Sequence, residues 1–185
     1  MTDLIAGRIA LLAAALAAML TGCAPTVKPE PAAPTRKIKK LPPPIDQVDR
    51  IALLAPHNAV VNLDSRPGPD GIVAQVMLVK DFGQGPKTVL VSGKVDLMVF
   101  EGSIPKNLSE APKPFFSRTF TAEELAQRVV GQYGVLLSYA LQAEWASAPQ
   151  SKSIWILARY RPQSGEALFS SPAEQRMPSA GSEAN

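Results

Sequence analysis

Beyond residue 44 the chain alternates short apolar runs with turn residues, and within most runs the apolar positions recur every second residue. Ile154, Ile156, Ala158 and Tyr160 fall on one side of such a run, with Trp155, Leu157 and Arg159 on the other. Val95, Leu97 and Val99 oppose Asp96, Met98 and Phe100 in the same way. A period of two belongs to the β-strand, whose successive side chains point to opposite faces. Strands are expected within residues 48–54, 59–63, 72–80, 87–92, 94–101, 115–120, 135–141, 154–160 and 167–170. The run IVAQVMLVK at 72–80 is nearly all apolar and predicts a central strand buried on both faces.

Turn residues punctuate these runs. Pro56-His57-Asn58, Arg66-Pro67-Gly68-Pro69-Asp70-Gly71, Gly83-Gln84-Gly85-Pro86 and Pro162-Gln163-Ser164-Gly165 all read as turns, with Asp70-Gly71 supplying left-handed positions. Gly93 breaks or bulges the chain just before residue 94. Residues 103–114 form a polar loop, and together with Phe115-Phe116 they offer a contact surface. One helix of about ten residues is expected. Thr121-Ala122-Glu123-Glu124 matches a capping box, Leu125, Ala126, Val129 and Val130 make an apolar face, and Gly131 ends it. Closely spaced strands without alternating helices predict a mainly β domain over residues 45–172, an antiparallel β-sandwich of about seven or eight strands with one short inserted helix. A partly open β-barrel is the alternative. Residues 173–185 are small and polar, and are expected to be a disordered tail.

The N-terminus follows a different pattern. Residues 9–20 read IALLAAALAAML after Arg8, an apolar run that as a helix would span about 18 Å against a hydrocarbon core of about 30 Å. It is too short to cross a membrane and suits the apolar region of a signal peptide, residues 1–22. Leu20-Thr21-Gly22-Cys23 follows at once and closely resembles the bacterial lipobox, in which Leu20, Thr21 and Gly22 are read by the signal peptidase and Cys23 is lipidated. The small side chains of Thr21 and Gly22 expose the backbone to the peptidase, and the thiol of Cys23 is the nucleophile that accepts a diacylglyceryl group. Cys23 is the sole cysteine of the chain. The resemblance implies two or three acyl chains on Cys23, enough for stable anchoring. Ala24 stands where an aspartate would retain a lipoprotein in the inner membrane, which implies an outer-membrane location facing the periplasm.

Residues 23–44 join this cysteine to the domain, with prolines at 25, 29, 31, 34, 42, 43 and 44. Such a segment favours extended polyproline II, and at about 3.1 Å per residue it reaches up to about 65 Å. Its cluster Arg36-Lys37-Ile38-Lys39-Lys40 either keeps the tether solvated or touches an anionic surface.

Charge adds little once it is divided by segment. The net charge of +3 suggests nucleic acid at first. Residues 24–44 carry +4 of it, whereas residues 45–172 balance twelve Lys/Arg against twelve Asp/Glu. A phosphate-tracking face is therefore not expected. One cysteine and one histidine exclude an intrachain disulfide, a Cys/His zinc site, a CxxC pair and a Cys–His dyad of the usual kind. No phosphate loop, dinucleotide fingerprint or GxSxG elbow occurs.

Taken in order, RPGPDGIVAQVMLV, GKVDLMVFEG, RTFTAEELAQ, GVLLSYAL and ARYRPQSGEALFSSP resemble a β-rich domain of uncharacterised lipoproteins from planctomycete-type bacteria. The likeness covers roughly residues 45–172. It implies the domain boundary and an envelope location, and no activity.

Candidate chemistry is sparse. Asp64 and Asp70 bracket a tight loop and, with Asp81, form the candidate oxygen set for calcium, for which Arg66 would compete. Trp145, Trp155 and Tyr160, with Tyr133 and Tyr139, are the candidate sugar-stacking aromatics. His57 in its turn is assigned no chemistry. No cofactor and no catalytic set is expected. The sequence reads as a lipid-anchored extracytoplasmic binding or structural module, with the membrane and an envelope protein or polysaccharide as partners and no nucleic acid. An envelope hydrolase, or a carbohydrate- or calcium-binding sandwich, is the alternative.

Overall fold

The computed structural model describes residues 41–64, 66–108, 111–132 and 136–178. The strands are β1 (Arg50–Leu54), β2 (Val60–Val61), β3 (Gly71–Asp81), β4 (Pro86–Thr88), β5 (Lys94–Glu101), β6 (Phe116–Phe120), β7 (Val129–Gln132), β8 (Leu136–Glu144), β9 (Ser153–Arg161), β10 (Leu168–Phe169) and β11 (Ala173–Arg176). The helix α1 is Ala122–Ala126. The protein is mainly β, built from two antiparallel sheets that do not close into a barrel. Sheet I runs β1-β3-β8-β7, with β2 and β4 also paired to β3; sheet II runs β10-β9-β5-β6, with β11 paired to β9.

The chain lays β1 to β4 into sheet I, crosses for β5 and β6, returns for β7 and β8, and crosses again for β9 to β11. Alternation decides which side chains meet between the sheets. Ile72, Ala74, Val76 and Leu78 of β3 and Leu141 of β8 face Val95, Leu97, Val99, Ile154, Ile156 and Tyr160 in one buried cluster. Tyr139 Oη accepts the amide of Val91 at 2.9 Å, and Tyr160 Oη donates to the Asp46 carbonyl at 2.7 Å, so both phenols bury their rings and satisfy their polar tips.

Doubly buried strands occur, but β3 is not one of them. Along its outer side Val73 and Met77 are half-buried and Gln75 is exposed, because no described element lies over that face of sheet I. The doubly buried strands are β5 and β9, whose second face forms a small cluster of Met98, Phe100, Trp155 and Leu157. Ile104 and Ala111 pack onto this cluster, whereas Ser103, Lys106, Asn107 and Leu108 of the same connection are exposed and stay open to contact. Phe115 and Phe116 pack against the main core.

Three further expectations change. The capping box forms, with Thr121 Oγ1 accepting the Glu124 amide at 3.3 Å and Glu124 Oε2 accepting the Thr121 amide at 2.8 Å. The helix nevertheless ends at Ala126, and Val129 to Gln132 pair with Tyr139 to Leu136 as β7. Two adjacent β-branched valines favour the pleated state, and pairing there satisfies backbone groups of β8 that a longer helix would leave bare. The supposed tail begins with β11, where Ala173 to Arg176 pair with Ile156 to Ser153. Polar side chains are no obstacle on an edge strand whose stability comes from backbone pairing. In the loop before β3 the left-handed residue is Gly68, at φ 104°, rather than the Asp70-Gly71 pair. Gly71 is buried where β3 starts, and a side chain there would collide with Leu63 and the Ala143 carbonyl.

Candidate functional site

Four places in the domain gather polar or aromatic side chains, and each follows from how the strands end or alternate. The first is the loop that carries the calcium candidates. Asp64 and Asp70 do approach each other, and their third neighbour is Glu144 at the end of β8, all with carboxylate oxygens within 4.8 Å. Asp81 is not part of the group. It lies at the opposite end of β3 from Gly71, where its carboxylate accepts the Gly83 amide at 2.8 Å. The loop also occupies its own carboxylates. Asp70 accepts the amides of Leu63 at 2.5 Å and Asp64 at 3.0 Å, and Asp64 accepts the Arg66 amide at 2.7 Å and pairs with its guanidinium. Those bonds hold the Asp64 carboxyl below its ordinary range. Glu144 escaped the sequence reading because only the antiparallel pairing of Gly71 with Glu144 brings it there.

Trp145 locks the same loop. Its indole Nε1 donates to the Pro69 carbonyl at 3.3 Å, its amide donates to the Asp70 carbonyl at 2.8 Å, and its ring meets Phe116 edge-on at 6.5 Å. Trp145, Trp155 and Tyr160 are 4%, 0% and 0% exposed, so the sugar-stacking platform is corrected: all three are core residues. Trp155 stacks on Phe100 with ring centroids 3.9 Å apart, and its Nε1 finds no partner among the described residues. Tyr139 is also buried, and burial pushes the Tyr160 hydroxyl up to about 12. Tyr133 lies outside the described residues.

The third place is the uncovered side of sheet I. Two shallow grooves of about 550 and 390 Å³ run along it. Leu54, Val73, Gln75 and Gln142 line one; Arg50, Met77, Val79 and Leu136 line the other. His57 lies in the exposed turn between β1 and β2.

The fourth place is the polar half of the outer face of sheet II. Asp96, 1% exposed, sits on β5 between the buried Val95 and Leu97. Its Oδ1 accepts Thr119 Oγ1 at 2.6 Å and Arg161 Nη2 at 2.6 Å, and its Oδ2 accepts Arg159 Nε at 2.8 Å. Burial alone would raise its pKa, but the hydroxyl and the two guanidiniums outweigh that and hold the carboxyl below the usual range. The sequence offered one hint of this group, an aspartate within KVDLMVFE. Its partners emerge only from the pairing of β5 with β6 and β9.

Leu20, Thr21, Gly22 and Cys23, with the tether and its basic cluster, lie outside the described residues. Among the described residues no helix is long and apolar enough to cross a membrane. The class defined by the geometry is a two-sheet antiparallel β-sandwich. No protein-family model, curated protein or solved structure matches the chain.

Proposed function

We propose that this chain is a lipid-anchored module of the bacterial cell envelope, which displays a β-sandwich outside the cytoplasm for binding or structural contact. The observation that carries the reading is Cys23, the sole cysteine, placed directly after an apolar run and two small residues. Lipidation at this position needs a thiol, and no other thiol exists in the chain to serve it. The tether of residues 24–44 then sets how far the domain stands from the bilayer, about 65 Å at full polyproline II extension. Ala24 directs the anchored chain to the outer membrane in this reading, with the domain facing the periplasm.

Metabolic labelling with a palmitate analogue, followed by membrane fractionation, tests the anchor. The native chain is expected to carry label and sediment with membranes. Cys23→Ser is expected to lose the label and to leave the membrane fraction or accumulate as precursor. Labelled, normally processed and membrane-bound Cys23→Ser protein would refute the assignment.

A further inference from the structure

The charged group on sheet II is laid out as a grid. Phe169 lies opposite Arg159, Arg159 opposite Asp96, and Asp96 opposite Thr119, which makes one row across β10, β9, β5 and β6. Arg161 opposite Lys94 begins the next row on the same face. With strands about 4.8 Å apart and same-face neighbours about 7 Å apart, the whole group occupies a patch of about 15 by 7 Å. That is room for a short stretch of an oligosaccharide rather than for a long polymer track.

The electrostatics of the patch are unbalanced. Arg159 and Arg161 pair with a single carboxylate, Asp96, and Lys94 stands opposite Arg161 in the next row, so the two rows carry three cations to one carboxylate. Asp96 is saturated by Thr119 and the two arginines, so it orients the guanidiniums while neutralising only part of their charge. The arginines are not used up. Their side chains are 34% and 43% exposed; Arg159 turns Nε and Nη2 to Asp96, and Arg161 turns Nη2 to Asp96 and Thr119. The acid next along this face, Glu174, pairs with Trp155, four residues from Arg159 along β9 and so about 13 Å away. Beside the cations stands an apolar surface. Phe169 is 54% exposed, with the Arg159 guanidinium 6.0 Å from its ring centroid.

We infer that this patch binds a carboxylated sugar, a uronic-acid unit of an acidic polysaccharide. The pre-oriented guanidinium of Arg161 and the ammonium of Lys94 would take the carboxylate as charge-assisted donors, and Phe169 would pack against the C–H face of the sugar ring. A bare anion would have no use for the ring. A nucleic acid would need basic groups spread along a track, whereas these are confined to one patch. The ligand class deepens the binding-module reading and rests on it, but does not depend on the anchor.

The test uses the full chain with Arg36, Lys37, Lys39 and Lys40 changed to Gln, which removes the pull of the tether on polyanions. Trigalacturonate, neutral trigalactose, inorganic phosphate and a short DNA strand are titrated against it calorimetrically. Trigalacturonate is expected to bind at least tenfold tighter than each of the other three. Arg161→Gln and Phe169→Ala are each expected to weaken it at least fivefold. Because Phe169 is largely exposed, its variant should keep the native unfolding midpoint, which separates a lost contact from a lost fold. No binding, equal binding of phosphate, preference for DNA, or an affinity unmoved by both variants overturns the proposal. If it fails while Cys23-dependent anchoring holds, the ligand class falls and the anchored module stands; if anchoring fails, this site is untouched.

Discussion

Replacing Asp96 by Asn keeps the shape of the side chain and removes its charge. The native carboxylate accepts from Arg159, Arg161 and Thr119 at 2.6 to 2.8 Å, and is 1% exposed. A hydrogen bond to a charged group contributes about 1.5–3 kcal/mol, and stripping one partner from a buried pair costs about 3–5 kcal/mol. The arginines can swing into water, being 34% and 43% exposed, and an amide oxygen still accepts one bond. The loss at pH 7 is therefore placed at about 2 kcal/mol, within the first range and below the second. The pH dependence provides a second signature. The folded carboxyl has its pKa held below its ordinary value of 3.8, so its stabilisation is present above that value and is lost as pH falls through the folded pKa. Asp46, Asp49, Asp64 and Glu124 are also lowered and give the native chain the same direction of change, but both proteins share them. Urea denaturation of native and Asp96→Asn chains from pH 7 to pH 2 is the assay. The two curves of stability against pH are expected to stand about 2 kcal/mol apart at pH 7 and to converge in acid. Curves that stay parallel, or a variant as stable as the native chain at pH 7, would refute the reasoning.

Gly93→Ala should destabilise the domain by about 1–3 kcal/mol in the same denaturation, because the new methyl would meet the Arg161 carbonyl and lie 2.8 Å from the Tyr160 ring. Trp155→Ala should cost about 3–5 kcal/mol by removing a fully buried ring stacked on Phe100, and a two-state unfolding fit will read it directly. Thr121→Ala should cost about 1 kcal/mol through loss of the capping box, whereas His57→Ala in its exposed turn should fall within about 0.5 kcal/mol of native. Removing half of residues 24–44 should shorten reach by about 30 Å and impair recovery of an envelope partner by crosslinking, with the unfolding midpoint unchanged.

Period-two alternation was enough to mark most strands, since a strand exposes its two faces to different surroundings whatever its partners are. The run at 94–101 coincides with β5, and the faces assigned to Val95, Leu97 and Val99 and to Ile154, Ile156, Ala158 and Tyr160 are those of the main core. The capping box was equally legible, because its two bonds close within four residues. What failed depended on partners far away in sequence. Val129 and Val130 continue a helical stripe on paper, yet β8 offers them an unpaired edge, and Ala173 to Arg176 become a strand only because β9 has room beside it. Whether the second face of a strand is buried depends on what covers it: Ile104 and Ala111 pack onto the cluster that holds Trp155, and no described element covers Gln75. The charged group is the clearest case. Asp96, Thr119, Arg159 and Arg161 are separated by up to 65 residues, and only the register of three strands brings their side chains to one face. The sequence by itself therefore determined local geometry, composition and the cysteine after its apolar run, all of which act over a few residues. Tertiary structure alone decided burial, charge pairing and which aromatic ring meets solvent, because these are properties of neighbours brought together across long loops.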